Sequence, residues 1–191
     1  MNLAYQIILA SKSPRRSQLL TEMAIPFINK TKEVEESYPD HLQAHEIAEF
    51  LSLKKANAFK DDLQEKELVI TADTIVVFEN KILGKPKDKE EVMAFLSSMS
   101  DRKHQVYTGV TLMTKENKHS FSDLSDVYFS PISTAEINHY IEHYNPFDKA
   151  GAYGIQEWFG HNFIHKIEGS YTNIMGLPTE KLYRALKDFA I

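Results

Sequence analysis

"LVITADTIVVF", residues 68–78, is the densest run of β-branched side chains in this 191-residue chain. Val, Ile and Thr suit pleated, half-buried backbone, so the stretch predicts a long strand, and Glu79–Asn80 predicts a turn that returns through Lys81–Leu83 as a hairpin. Asp73 interrupts the apolar run. A carboxylate there is costly to bury unless it is paired, hydrogen-bonded or metal-bound. Two readings follow: a strand-end aspartate bonded to local backbone, or a general base or ligand for a hard divalent cation. In a regular strand Thr74 points to the opposite face.

Upstream of that strand a helix is predicted from Asp40, which stands in capping-box spacing with Gln43, to about Phe59. At 100° per residue, Ala44, Ile47, Ala48, Leu51, Ala58 and Phe59 share one stripe, and Lys55 falls inside it. Either the ammonium snorkels to water or it is directed at an anion. Further upstream, Tyr5–Ala10 reads as a short buried strand, followed by a loop and a helix from Pro14 to about Met23, with Ser13 as N-cap. Arg15 and Arg16 occupy the first turn, where the helix dipole disfavours each cation by about 0.3–1 kcal/mol. An anion such as phosphate bound among them would reverse that cost. Phe27–Thr31 is a second strand candidate, and the acidic, turn-prone "KEVEESYP" after it contains Glu35 and Glu36.

Downstream, Gly84 and Pro86 fix a turn around Lys85. Asp88 and Glu91 cap a helix bearing Val92, Phe95, Leu96 and Met99, and strands are predicted over Gln105–Thr114 and Ser120–Phe129 about the turn "KENK". Ser133 and Glu136 cap a helix with Ile137, Tyr140, Ile141 and Tyr144 on one side, and a last helix runs from about Thr179 to Phe189. Five of the seven glycines lie between Gly151 and Gly176, where close backbone approach is concentrated. This order of elements indicates a mixed α/β fold in one domain.

The composition, 42% hydrophobic and 26% charged, is that of an ordinary globular protein. With no cysteine, disulfides and thiolate metal sites are excluded. No apolar run approaches the roughly 20 residues of a bilayer span, and a cytosolic location is expected. The net charge of −5 argues against a general nucleic-acid or membrane binder. No HExxH, GxSxG or P-loop pattern occurs.

Taken together, "ASKSPRR" (10–16), "ADT" (72–74), "GKP" (84–86), "DKAGAYGIQ" (148–156) and "IEGSYTNIMGLP" (167–178) closely resemble the Maf family of nucleoside triphosphate pyrophosphatases. The resemblance spans nearly the whole chain. It implies an α/β fold of the Maf or inosine-triphosphatase-like type, one domain over residues 1–191 with a long mixed sheet and two lobes around a central cleft. The implied reaction is hydrolysis between the α- and β-phosphates of a nucleoside triphosphate, with Mg²⁺ or Mn²⁺. Carried over by motif, Ser11, Arg15 and Arg16 lie at the phosphate-binding loop, Lys55 and Lys85 meet phosphates, and Asp73 is the catalytic carboxylate. Glu35 matches the acidic position after the second strand and joins Asp73 as a metal ligand. Arg15, Thr74 and Gln156 resemble the branch acting on dTTP and UTP, whereas the 7-methyl-GTP branch has tryptophan in place of that arginine. Lys54 departs from the family's usual "EKA", giving "KKA". The association with septum formation leaves a non-catalytic nucleotide-binding regulator as the alternative, and the resemblance implies a homodimer.

Overall fold

The computed structural model describes residues 4–189. A seven-stranded sheet runs in the order β2 (Phe27–Asn29), β1 (Gln6–Leu9), β3 (Glu67–Phe78), β5 (Lys103–Met113), β6 (Lys118–Phe129), β7 (Ile164–Glu168), with β4 (Lys81–Leu83) paired to β3. β1 is parallel to β2 and to β3, while β3–β4 and β6–β7 are antiparallel. The mixed α/β fold expected from the sequence is present. The chain divides into two compact units: residues up to Asp73, Thr108–Asp123 and the chain from Gly176 form the first, and Thr74–Tyr107 with Leu124–Met175 form the second.

In the first unit, α1 (Pro14–Glu22) follows β1, α2 (Ala44–Asn57) precedes β3, and α7 (Thr179–Lys187) ends the described chain. Ile8 pairs with Val69 across β1 and β3, and both enter a core with Ala56, Phe59, Leu63 and Met113. Gly109 lets α2 approach closely, since a Cβ there would lie 2.1 Å from the Ala48 carbonyl oxygen. Hydroxyls fasten the same helix: Thr71 donates to the Ser52 carbonyl at 2.7 Å, and Ser52 meets Thr111 at 2.9 Å. The helix begins later than expected. Gln43 and Glu46, not Asp40 and Gln43, form the capping box, and the backbone from residue 30 to 43 has neither helix nor strand. β2 likewise ends at Asn29, short of Thr31.

The second unit contains α3 (Lys89–Met99), α4 (Thr134–His143), α5 (Trp158–Phe163), α6 (Tyr171–Met175), β4 and β7. The caps of α3 and α4 form as read from the sequence: Glu91 N donates to Asp88 at 2.8 Å, and Ser133 N donates to Glu136 at 2.7 Å. Its core is aromatic, with Phe129, Tyr140, Tyr153 and Phe159 in contact at ring separations of 5.0–5.9 Å. Such edge and tilted contacts add about 0.5–1.5 kcal/mol per pair beyond burial. No helix among the described residues is long and apolar enough to cross a membrane.

Candidate active site

Period-two alternation puts Val69, Thr71 and Asp73 on one face of β3. Those are the residues engaged with α2's side: Val69 packs in the core with Ala56, Thr71 bonds Ser52, and Asp73 accepts from Lys55 Nζ. Lys55 therefore does not snorkel. Its ammonium is held by Asp73 and by Glu36, the latter at 2.7 Å, with only 19% of its side chain exposed. Burial raises the Asp73 pKa above the usual aspartate range, opposed by the nearby Lys55 and Arg16 charges. The residue is 7% exposed, so its carboxyl is a desolvated acid whose charge depends on its neighbours.

The acidic member of this cluster is Glu36. Its neighbour Glu35, exposed as Glu36 also is, is not among the charges that act on Asp73. Lys54, the departure noted in the sequence, does not compete for these carboxylates. It turns to Ser37, donating to the carbonyl at 3.0 Å and the hydroxyl at 2.9 Å, so two successive lysines of α2 fasten the irregular segment that carries Glu36.

Ser13 occupies the N-cap of α1, but its side chain makes no capping bond. The Ser11 hydroxyl does comparable work one step earlier, accepting from Ser13 N at 3.1 Å and from Arg16 Nη1 at 3.4 Å. Arg16 Nε also donates to the Gly176 carbonyl at 2.7 Å, where a φ of +109° favours glycine. Burial pulls the Arg16 guanidinium below its usual pKa, with Asp73 opposing and Arg15 adding to the fall. The first unit thus gathers Ser11, Arg15, Arg16, Lys55, Asp73 and Glu36 around the open end of α1. This arrangement can take an anion, a water to be deprotonated and a hard cation.

No group of three or more His, Cys, Asp or Glu side chains gathers among the described residues, so no all-protein metal cage is built. Glu36, 49% exposed, nevertheless suits Mg²⁺ or Mn²⁺, because Mg²⁺ is commonly held by one or two carboxylates with substrate phosphates and water completing its shell.

The second unit carries Thr74, Lys85 and Gln156. Lys85 is exposed. Its turn is fastened to the Gln156 segment through Gly151 N, which donates to the Gly84 carbonyl at 3.1 Å. Gly151 has φ +67°, and a Cβ there would strike Val76 at 2.9 Å, so only glycine serves. Gln156 presents a buried Oε1 with no hydrogen-bond partner. Two residues tied to these segments carried no readable signal of their own: Gly176, one glycine among a cluster, and Lys149, which lies inside a quoted motif and is 5% exposed.

The fold is similar to that of the Staphylococcus aureus Ham1 protein, which aligns with a TM-score of 0.50 at 14% identity over 96% of this chain and 98% of that one. Beside that fold stands an acid–ammonium cluster at a cationic helix end. The Maf-like protein family matches residues 6–189, and the chain belongs to it. The dTTP/UTP pyrophosphatase of Bacteroides thetaiotaomicron is 50% identical over 184 residues, covering 96% of this chain and 95% of that protein. The dTTP/UTP pyrophosphatase of Flavobacterium johnsoniae is also 50% identical, over 95% of this chain and 94% of its own.

Proposed function

We propose that this chain is a nucleoside triphosphate pyrophosphatase of the cytosol that converts dTTP and UTP to the monophosphate and pyrophosphate. The observation that carries the reading is the desolvated Asp73 carboxyl bonded to the Lys55 ammonium beside Glu36 and Arg16. Relatives about half identical over nearly their whole length and named for that activity support it.

In the reaction a water oxygen bonds to phosphorus, the anhydride P–O bond between the α- and β-phosphates breaks, pyrophosphate departs, and one proton must be accepted. Asp73 accepts it, and burial makes this carboxylate a stronger base than one in water. The incoming triphosphate recruits Lys55 to a phosphate oxygen. Arg15, Arg16 and the end of α1 meet further charge through bidentate and backbone bonds. Because the Ser11 oxygen already accepts two bonds, its own hydrogen is left to donate to phosphate. Lys85 contributes a further cation. Glu36 would hold the divalent ion together with substrate phosphates, and its charge when bound would offset theirs.

Base selection is assigned to Arg15, Thr74 and Gln156. Thymine and uracil offer an N3–H to an amide oxygen such as Gln156 Oε1, whereas cytosine offers an acceptor there, and a mismatched polar group is strongly rejected. A panel of dTTP, UTP, dCTP, dGTP and 7-methyl-GTP, assayed for pyrophosphate with and without Mn²⁺, tests the reading. Pyrophosphate from dTTP and UTP is expected. Release of orthophosphate, preference for 7-methyl-GTP, or tight binding without turnover would overturn it.

A further inference from the structure

Lys149 is among the most deeply buried cations of the chain, at 5% exposure, and the phosphate chemistry above does not use it. Lysine is almost never fully buried unless paired. Its ammonium has three donors, and each finds an acceptor: the Asn145 carbonyl at 2.5 Å, Asp148 Oδ1 at 2.8 Å and Glu157 Oε1 at 3.1 Å. The other oxygen of Glu157 accepts from the Tyr140 hydroxyl at 2.8 Å, and that hydroxyl accepts from Gly154 N at 3.2 Å. The chain from Lys149 to Glu157 is thereby tied at both ends and in its middle.

Its packing tightens the same hold. A Cβ on Gly154 would lie 2.6 Å from Glu157 Cδ, so glycine is what lets the carboxylate close over the backbone. A Cβ on Gly160 would lie 2.0 Å from the Ile155 carbonyl oxygen, which presses that peptide against α5. Tyr153 is anchored through its hydroxyl to His104 Nε2 at 2.7 Å. Residues 153, 154, 155 and 157 are therefore each fixed from a different direction. Within the segment, Gln156 Oε1 is the buried side-chain oxygen that remains without a partner.

We propose that the Lys149–Glu157–Tyr140 network is the positioning device of base recognition, which holds the Gln156 amide oxygen where it accepts the imide N–H of thymine or uracil. The inference rests on the reading of Gln156 given above. An acceptor held in one direction rejects a ring that presents another acceptor, because a buried polar pair is then left unmatched. The same acceptor on a loose segment turns aside and discriminates less. Lys149, Glu157 and Tyr140 are positioning residues that act through Gln156.

The test compares kcat/KM for dTTP with that for dCTP, two substrates of equal ring size, in the 191-residue chain with Mn²⁺. Tyr140→Phe keeps the aromatic packing and deletes both hydroxyl bonds. Its dTTP-to-dCTP ratio is expected to fall roughly tenfold, about the effect of one well-placed hydrogen bond, through a raised KM for dTTP. In a Gln156→Ala background, Tyr140→Phe should change the ratio no further. Glu157→Gln, which retains an acceptor for Tyr140 but gives up the ion pair with Lys149, should shift the ratio in the same direction and serves if Tyr140→Phe fails to fold. An unchanged ratio in both variants overturns the proposal. So does an equal loss on both nucleotides, which is the mark of a purely structural clamp, or a further fall in the Gln156→Ala background. A wild-type ratio in Gln156→Ala itself overturns the reading of Gln156, and with it this inference.

Discussion

Two lysines, one in each unit, show how differently a protein can bury the same cation. Lys149 has a matched acceptor for each of its three hydrogens and a side chain 6% exposed. Lys55 has two carboxylate partners, Asp73 and Glu36, and a side chain 19% exposed. An ammonium carries three donors, so Lys55 keeps one to offer while Lys149 keeps none. Of these two buried lysines, the unsaturated one is the one proposed to meet a ligand, and the saturated one holds a loop. The comparison also predicts where damage will register: in turnover around Lys55, and in stability and base preference around Lys149.

The largest effect is expected at the carboxyl that Lys55 holds. Asp73→Asn should lower turnover by about 10²–10⁴-fold, the usual contribution of a positioned base, with circular dichroism unchanged. Stability moves the other way. Burial lifts the folded-state pKa of Asp73 above its unfolded value, so the folded chain holds the extra proton between those two values. Wild-type stability therefore falls as pH rises through that window, and the asparagine variant should gain in melting temperature relative to wild type as melts are run from pH 4 to pH 8. A variant that loses stability throughout would show that the Lys55 pairing outweighs the burial of charge.

Next come the two lysines themselves, each replaced by methionine. Lys55→Met should lower kcat/KM by about 10²-fold, the order of one charge-stabilising donor. It should also move the acid limb of the pH profile upward, because Lys55 is the chief group drawing the Asp73 pKa down. Lys149→Met should instead cost stability. Stripping one partner from a fully buried pair costs about 3–5 kcal/mol, but Asp148 and Glu157 are 48% and 22% exposed, so about 1–3 kcal/mol is expected here. That is a fall in melting temperature of about 3–10 °C. Should the two variants exchange phenotypes, saturation is the wrong criterion.

A smaller contrast separates adjacent glutamates. Glu36→Gln should weaken Mn²⁺ binding, followed by the paramagnetic resonance of the free ion, by about tenfold, since a charged oxygen donor is lost. Glu35→Gln should leave it at the wild-type value.

That pair marks the limit of what the sequence discloses. β3, the Pro14 start of α1 and the caps at Asp88 and Ser133 were legible because each rests on residues a few positions apart. α2 was placed too early because Asp40 and Gln43 share the spacing of the true box, Gln43 and Glu46, and only packing chooses between them. β7, α5 and α6 lie in the glycine-rich stretch, where tertiary contacts rather than periodicity set the backbone. Lys55 and Asp73 betrayed themselves as polar residues in apolar patterns. Glu36 could not, since irregular backbone has no period from which to tell one glutamate from the next. Lys149 was hidden by its type, because lysine ordinarily belongs at the surface.

The finest test concerns how Glu36 is held at all. Residues 30–43 have no helix or strand, and the part around Glu36 is fastened by lysines: Lys12 to Glu33, Lys32 to Asp62 and the Ala58 carbonyl, Lys54 to Ser37, and Lys55 to Glu36. The Lys12–Glu33 pair, 69% and 91% exposed, is screened by salt and contributes little. Lys54 differs, because its partners are a neutral carbonyl and hydroxyl one residue beyond Glu36, so its hold does not depend on a second charge. Lys54→Ala should therefore lower Mn²⁺ affinity by about two- to fivefold, corresponding to less than about 1 kcal/mol, and the ratio to wild type should stay level as NaCl is raised from 50 to 500 mM. A deficit that fades with salt would make Lys54 a long-range charge rather than a clasp. A loss beyond tenfold would place it, beside Lys55, among the groups that meet the ligand directly.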